Sequence, residues 1–451
     1  MEIPAHSRTV RVGNLLMGGG HPVVIQSMTN TDTLDTEATV AQCRRLFDSG
    51  CQLVRITAPG LKEARNLENI KDRLRQKGYD GPLCADIHFL PEAALVAAQI
   101  VEKVRINPGN YCDRKTGKTE FSQAEQEAER ERIGQRIAPL LETCREHGTA
   151  IRIGVNQGSL SERMTSLYGN TPLAMVESAS EFIGICRKTG FDQIVVSMKS
   201  SRVRIMDEAV RMFAGRMMQE GTTYPLHIGV TEAGDGQDAR LLSAIGIGSL
   251  LLDGIGDTIR VSLTESPENE IPVARRIIRA VERLRRLSPG QLAEKQTETE
   301  GNPIPEDQKT ETAIRLGRLM LRGERTGFCV KGENPAESQR LLDDILQAAG
   351  LKSHKTRFIA CPSCGRTKYD IQKALAQVKE RFPGHPDLTI AVMGCVVNGP
   401  GEMADADFGY IGCGNGKVNL YRKGVAVRLN VPENEALGEL EKLIAGNTAH
   451  E

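Results

Sequence analysis

The sequence predicts an α/β protein, an N-terminal (β/α)8 TIM barrel followed by a smaller C-terminal α/β domain, and three observations carry that expectation. From about residue 20 to 285, short Val- and Ile-rich runs alternate with longer amphipathic stretches, the signature of parallel strands joined by crossover helices. Eight such runs fall in that span, a number that suits a closed barrel better than an open sheet. Polar residues gather toward the C-terminal ends of the runs, the rim on which barrels build their sites.

The eight runs are PVVIQSMT (22–29), QLVRITAP (52–59), PLCADIHF (82–89), KVRINPG (103–109), AIRIGVN (150–156), QIVVSMK (193–199), LHIGVTE (226–232) and SLLLDG (249–254). Thr29, Arg55, Asp86, His88, Arg105, Asn107, Arg152, Asn156, Lys199 and Glu232 stand near their ends. The barrel domain is expected to cover 1–286. From 287 to about 335 the composition turns to Pro, Gly, Gln and charge, interrupted by the helical stretch TAIRLGRLML, so that 287–350 reads as a solvated linker or a partly helical insertion. A second compact unit covers 351–451: FIAC, a helix to about 381, LTIAVMGC, a glycine-rich stretch, VNLYRKGVAVRL and a last helix.

Lys plus Arg equals Asp plus Glu at 58 each in 451 residues, so no global field would hold nucleic acid or an anionic membrane, and a small-molecule partner is expected. The N-terminus lacks the basic start and apolar run of a signal peptide, and no stretch approaches the roughly 20 apolar residues of a membrane span. A cytoplasmic location is expected. The 11 cysteines are odd in number and scattered, which favours buried thiols plus a metal or redox site over a disulfide framework.

Cys361, Cys364 and Cys395 each close a β-type run at a turn, in FIACPSCGR and IAVMGCVVNGPGE. A C-x2-C pair with a distant third Cys suits either zinc or an iron–sulfur cube, and three buried structural thiols are the bland alternative. Cys413 as fourth ligand would complete a closed zinc site. Glu402, seven residues after Cys395, would instead give one iron a displaceable oxygen ligand. The turn Asn398–Gly401 can bring an amide and backbone N–H groups beside such a centre.

On the rim, Arg55, His88, Arg105, Asn107, Arg152, Asn156, Lys199 and Arg260 could surround a multiply charged anion, since paired Arg contacts suit phosphate. The loop GIGDTIRVSLT (254–264) follows the eighth run, where barrels commonly bind phosphate. Asp86 and Glu232 are the candidate proton donors there. Their alternative role is to orient His88, Lys199 or an arginine.

ADIHF, KVRINPGN, IRIGVNQGSL, GVTEAG and GDTIRVSLT, then FIACPSCGRT and IAVMGCVVNGPGE, together resemble the 4-hydroxy-3-methylbut-2-enyl diphosphate synthases of the non-mevalonate isoprenoid pathway, over roughly 20–285 and 345–445. The resemblance implies a barrel that binds 2-C-methyl-D-erythritol 2,4-cyclodiphosphate and a tail carrying a [4Fe-4S] cluster on Cys361, Cys364, Cys395 and Glu402. It implies reductive ring opening and loss of water, with two electrons from reduced flavodoxin or ferredoxin. It assigns Arg55, Asp86, His88, Arg105, Asn107, Arg152, Asn156, Lys199, Glu232, Arg260 and Ser262 to the substrate side, Asn398 to the cluster side, and makes Glu232 the better acid. It also implies a homodimer in which each tail closes over its partner's barrel.

Three features depart from the short bacterial form. Some sixty residues separate the barrel from the FIACP-like strand, and both IPVARRIIRAVERLRRL and AESQRLLDDILQAAGL resemble the last barrel helix. DFGYIGCGNGKVNLY adds Cys413 after the glutamate, and NYCDRKTGKTEFSQAEQEAERER lengthens the loop after the fourth run.

Overall fold

The computed structural model describes residues 7–112, 117–118, 120–367, 369–396, 399–403 and 405–448. Eight parallel strands form the barrel: β1 (Val24–Met28), β2 (Leu53–Thr57), β3 (Leu83–Asp86), β4 (Lys103–Ile106), β5 (Ala150–Asn156), β6 (Ile194–Lys199), β7 (His227–Ile228) and β8 (Thr258–Ile259). Neighbours pair in sequence order, β8 sits between β1 and β7, and a bridge between Val196 and Leu226 closes the ring. The strands are buried along nearly their whole length, as parallel strands covered on both faces must be. A hairpin, Val10–Val12 with Leu15–Met17, packs Val10, Val12 and Met17 against Leu53, Cys84, Ala150 and Val195 and plugs the floor.

The two-residue period of a strand sorts its side chains. Val54, Ile56, Val104, Ile106, Ile151 and Ile153 join the core under the helices. Arg55, Arg105 and Arg152, alternating with them, turn the other way and line the mouth cavity. The helices α1 (Thr36–Asp48), α2 (Leu61–Gln76), α3 (Pro91–Ala98), α4 (Gln123–His147), α5 (Pro172–Lys188), α6 (Val203–Gln219), α7 (Gly236–Ser243) and α8 (Glu270–Leu284) cover the outside. The lengthened loop after β4 leads into α4, whose start carries a Ser122–Glu125 capping box.

Seven of the eight expected runs contain their strand. The eighth does not. SLLLDG is helical, because α7 runs on through a π-turn (Ala244–Gly248) into Ser249–Leu252, and a short apolar run is the case that periodicity cannot resolve. The eighth strand lies instead inside the segment expected to be the phosphate loop. The last barrel helix is α8, in the first of the two competing stretches.

The segment expected as a solvated linker or a partly helical insertion is a folded insertion. It holds a parallel pair, β9 (Gln296–Glu298) and β10 (Cys329–Lys331), with α9 (Glu306–Leu321) between them and α10 (Pro335–Ala348) after. Ala313, Ile314, Leu316, Met320, Leu341 and Ile345 belong to the same buried cluster as the barrel. A side-chain carbon added at Gly248 would lie 2.4 Å from Ile314, and one at Gly317 2.6 Å from Ile245, so α9 reaches the barrel at helix-backbone distance. Arg211, Arg318 and Arg322 converge on buried Asp253 beneath it.

The tail is a five-stranded sheet in the order β11 (Arg357–Ala360), β12 (Thr389–Met393), β13 (Phe408–Gly414), β14 (Lys417–Arg422), β15 (Val425–Pro432), with α11 (Ile371–Arg381) and α12 (Glu433–Thr448). The first three strands are parallel and the last two antiparallel. Strand β13 is the stretch read as glycine-rich. Gly409 gives way to Met403 and Gly412 to Tyr369, each within 2.4 Å of where a side-chain carbon would sit, so its glycines serve packing. Among the described residues no helix is long and apolar enough to cross a membrane.

Candidate active site between the barrel mouth and the tail

A narrow cavity of about 90 Å³ lies at the C-terminal mouth of the barrel, roofed by the tail. Its barrel wall is cationic: Arg55 from β2, Arg152 and Asn156 from β5, Lys199 from β6, and Arg260 and Ser262 just after β8. Few anions balance these groups. Arg105 reaches Asp86 at 3.1 Å, and Arg260 grips buried Glu270 through two contacts at 2.9 and 3.1 Å. The Arg55 guanidinium meets Met28 sulfur at 3.0 and 3.2 Å, a weak acceptor.

Burial lowers the Arg55 pKa to about 10, Asp86 partly opposing it. Burial first, then the neighbouring arginines, also lowers Lys199 well below the usual lysine value. Below the cavity, burial brings Lys103 to about 7. Ser262 Oγ and the Nε atoms of Arg105 and Arg152 are buried and find no partner among the described residues. A wall with spare donors and excess positive charge is built for an anion.

The tail supplies Cys361, Pro362, Ser363, Cys364, Arg366, Gly394, Cys395, Gly399 and Glu402. Cys361 and Cys364 follow β11, and Cys395 follows β12, so the parallel pairing of these strands delivers all three thiols to one edge. The Gly394 N–H donates to Cys361 sulfur at 3.2 Å, and Arg366 Nε donates to Cys364 sulfur at 3.4 Å. Burial pushes the Cys361 thiol up, and the Gly394 N–H works against it. Among the described residues no three His, Cys, Asp or Glu gather closely enough to hold a single ion; the thiols line a wall. Sulfur atoms spread around a cavity, with N–H donors aimed at them, fit an iron–sulfur cube.

Tail and barrel are stitched by main chain. The Ala360 N–H donates to the Glu232 carbonyl at 3.2 Å, and the Gly234 N–H donates to the Ala360 carbonyl at 3.3 Å. Thr264 Oγ1 donates to the carbonyls of Ala360 and Cys361 at 3.2 and 3.0 Å. A side-chain carbon at Gly401 would fall 1.9 Å from the Gly158 carbonyl oxygen, and one at Gly158 would fall 2.7 Å from the Gly401 backbone. Two backbones touch there, which only glycine allows. The tail therefore closes over its own barrel, whereas the resemblance implies closure over a partner's. The sixty-residue segment returns the chain to the mouth it came from.

Glu232 and Glu402 meet across this seam. Asn156 Nδ2 donates to Glu402 Oε1 at 3.2 Å, and Thr231 donates to Glu232. Burial, reinforced by the charge of Glu402, pushes the Glu232 carboxyl well above its usual range, and burial also raises Glu402. Glu232 is held at φ +50°, left-handed backbone that is costly for a glutamate and typical of functional positions. Asp86 behaves differently. Burial alone would raise it, but Arg105 and Arg55 hold it well below the usual carboxylate range, so it orders arginines and has no proton to give at neutral pH.

Most rim residues read from the sequence line the cavity. Thr29, His88 and Asn107 do not. His88 is fully buried, with its ring nitrogens 3.3 Å from Arg105 Nη1 and 2.8 Å from Asn110 Nδ2, and Asn107 donates to Ser159 Oγ at 2.8 Å. His88 thus braces Arg105, which does line the cavity, and Asn107 is tied to Ser159 behind it. Asn398 lies outside the described residues. Cys413 is absent from the cavity lining and lies 3.8 Å from Asn430 Oδ1 on the tail sheet. Arg366 was not anticipated. It lies 4.0 Å from Asp86, and although burial opposes its charge, Cys364 and Asp86 keep it protonated. Its only signal was its place two residues after the C-x2-C pair. His227, which accepts from Arg152 at 2.7 Å, was also missed.

Residues 7–275 match the GcpE TIM-barrel domain and residues 357–446 the GcpE protein C-terminal domain. A relative from Trichormus variabilis, a 4-hydroxy-3-methylbut-2-en-1-yl diphosphate synthase (ferredoxin), is 45% identical over 97% of this chain and 91% of its own length. Relatives from Akkermansia muciniphila and Phocaeicola vulgatus, both 4-hydroxy-3-methylbut-2-en-1-yl diphosphate synthases (flavodoxin), are 38% and 36% identical, over 97% and 98% of this chain and 96% and 97% of theirs. With both halves of the site assembled in one chain and both domain models matched in order, the chain belongs to the GcpE family.

Proposed function

We propose that this chain is a 4-hydroxy-3-methylbut-2-enyl diphosphate synthase that converts 2-C-methyl-D-erythritol 2,4-cyclodiphosphate to 4-hydroxy-3-methylbut-2-enyl diphosphate. Two electrons enter, the ring C–O bond to the diphosphate opens, and a hydroxyl leaves as water after gaining a proton. The observation that carries the reading is one cavity with a cationic barrel wall facing three cysteines and a glutamate. A [4Fe-4S] cluster on Cys361, Cys364, Cys395 and Glu402 would supply the electrons, received from reduced flavodoxin or ferredoxin, whose names the relatives carry.

The chain's own residues account for the rest. Arg55, Arg152, Lys199 and Arg260 bind and orient the diphosphate, with Ser262 as a further donor. Asp86 keeps Arg105 in place. Glu232, on the seam, gives the departing hydroxyl its proton. Asn156 positions Glu402. The docked tail excludes water from the reacting carbon. The domain division used in this reading is a barrel over 1–286, an inserted helical segment over 287–350 and a cluster domain over 351–451. A homodimer is compatible with it, but closure within one chain means the two walls do not need a partner to meet.

The test is anaerobically purified, cluster-loaded protein incubated with the cyclodiphosphate and a chemical reductant. The expected result is stoichiometric butenyl diphosphate, and no turnover without reductant. Turnover by metal-free protein, or an unchanged cyclodiphosphate with an intact cluster and reductant, would overturn the proposal.

A further inference from the structure

A second cavity, about 350 Å³, opens where barrel, inserted helices and tail meet, within the size range of small-molecule sites. It backs onto the turn after Glu232 and the start of α6, but Lys199, Glu232 and the thiols are not in its wall. Five cations and three carboxylates line it. The carboxylates are accounted for: Lys355 lies 2.7 Å from Asp238 and 2.6 Å from Asp344, and Lys379 lies 2.7 Å from Asp235. Arg202 pairs with Asp405 at 2.7 Å.

Arg204 and Arg357 are left over. Among the described residues neither has a carboxylate partner: Arg204 donates to the Met320 carbonyl at 3.0 Å and Arg357 to the Ser201 carbonyl at 3.1 Å. Arg204 Nε is buried and finds no partner among the described residues. Burial lowers both guanidinium pKa values, Arg325 and Arg202 lower them further, and Asp207 and Asp405 oppose this only in part, which is an environment a nearby anion would relieve. Val203, Ile205, Leu242 and Phe358 give the same cavity an apolar side.

The placement of the two arginines adds a consequence. Arg204 belongs to the barrel helix α6, Arg357 opens the tail strand β11, and three residues on, Ala360 makes the main-chain contacts with Glu232 and Gly234. An anion held by both would clamp the tail to the barrel just behind the active site.

We propose that this cleft binds a small organic phosphate with a short apolar body, its phosphate between Arg204 and Arg357, and that occupancy fixes the tail in the closed position. The experiment uses the full-length holoprotein carrying Arg55→Ala and Arg152→Ala, which strips anion contacts from the active site, titrated calorimetrically with 3-methylbutyl phosphate. One site is expected. Arg204→Gln or Arg357→Gln should weaken it about tenfold or more, the loss of one charged hydrogen-bonded contact, and Ala348→Trp, which fills the cavity, should abolish it. Inorganic phosphate should bind more weakly than the ester. Saturating ester should slow protease cleavage of the 349–356 connector several-fold. No heat at millimolar ester, binding indifferent to all three substitutions in proteins with unchanged circular dichroism, or cleavage unaffected by saturation would overturn the proposal.

Discussion

The two walls of the active site are built in opposite ways. On the barrel side, the cations stand on or just after separate strands, and the parallel pairing from β2 through β5 fixes the spacing of Arg55, Arg105 and Arg152. The apolar residues that alternate with them are buried under eight helices. On the tail side, the thiols sit on turns beyond the ends of β11 and β12, and the wall reaches the barrel through a few backbone hydrogen bonds and a glycine-to-glycine contact. The barrel wall is preorganised and the tail wall is docked. Substrate affinity and electron delivery therefore depend on different residues and should fail separately.

The strongest break should come at the corner where the walls meet. Glu402→Ala is expected to keep the colour of the cluster, which three thiolates still hold, while turnover falls by about a thousandfold, the scale of removing a group that acts at the reacting centre. Full activity in that variant would refute the role given to Glu402. Gly401→Ala attacks the docking alone. Its added carbon meets the Gly158 carbonyl, so steady-state kinetics should show kcat/KM down by about a hundredfold, the scale of a misplacement near 1 Å, with iron content unchanged.

Arg152→Ala and Arg55→Ala should each raise KM about tenfold to a hundredfold, the worth of one charged hydrogen bond to phosphate, and leave the spectrum alone. Loss of iron in either would contradict the separation of the walls. The smallest effect on turnover is expected at the inserted helix. Ile314→Ala should cost about 2–4 kcal/mol of stability in chemical denaturation and leave kcat near the parent value below the melting range. No loss of stability would mean that α9 is not part of the barrel core.

How far the sequence carried the fold follows from particular residues. Strands β1 to β7 were legible because β-branched runs sit between turn signals. β8 was not, because Thr258–Ile259 follows the turn-like GIGD and sits in a stretch that reads as a loop, while the neighbouring leucine run is more conspicuous and helical. Both inserted helices were legible as helical stretches, but the polar residues before them hid that they pack into the barrel core, and β13 was hidden by glycines that make room for Met403 and Tyr369. In the site, the C-x2-C pair, Cys395 and the alternating arginines were readable from spacing, whereas spacing left Glu402 and Cys413 open and only the resemblance chose between them. His88 and Asn107 were drawn in by their place near strand ends, although their side chains turn to Arg105 and Ser159. Arg366 was passed over because an arginine after a turn looks like a solvated end, and only the docking of the tail buries it beside Asp86.

The central claim, a cube of iron and sulfide held by the tail against the barrel's anion site, is tested most directly by metal and sulfide analysis of protein purified without oxygen. The account predicts about four irons and four sulfides per chain, reduced to a small fraction by Cys395→Ser. One tightly bound zinc with neither iron nor sulfide would contradict it.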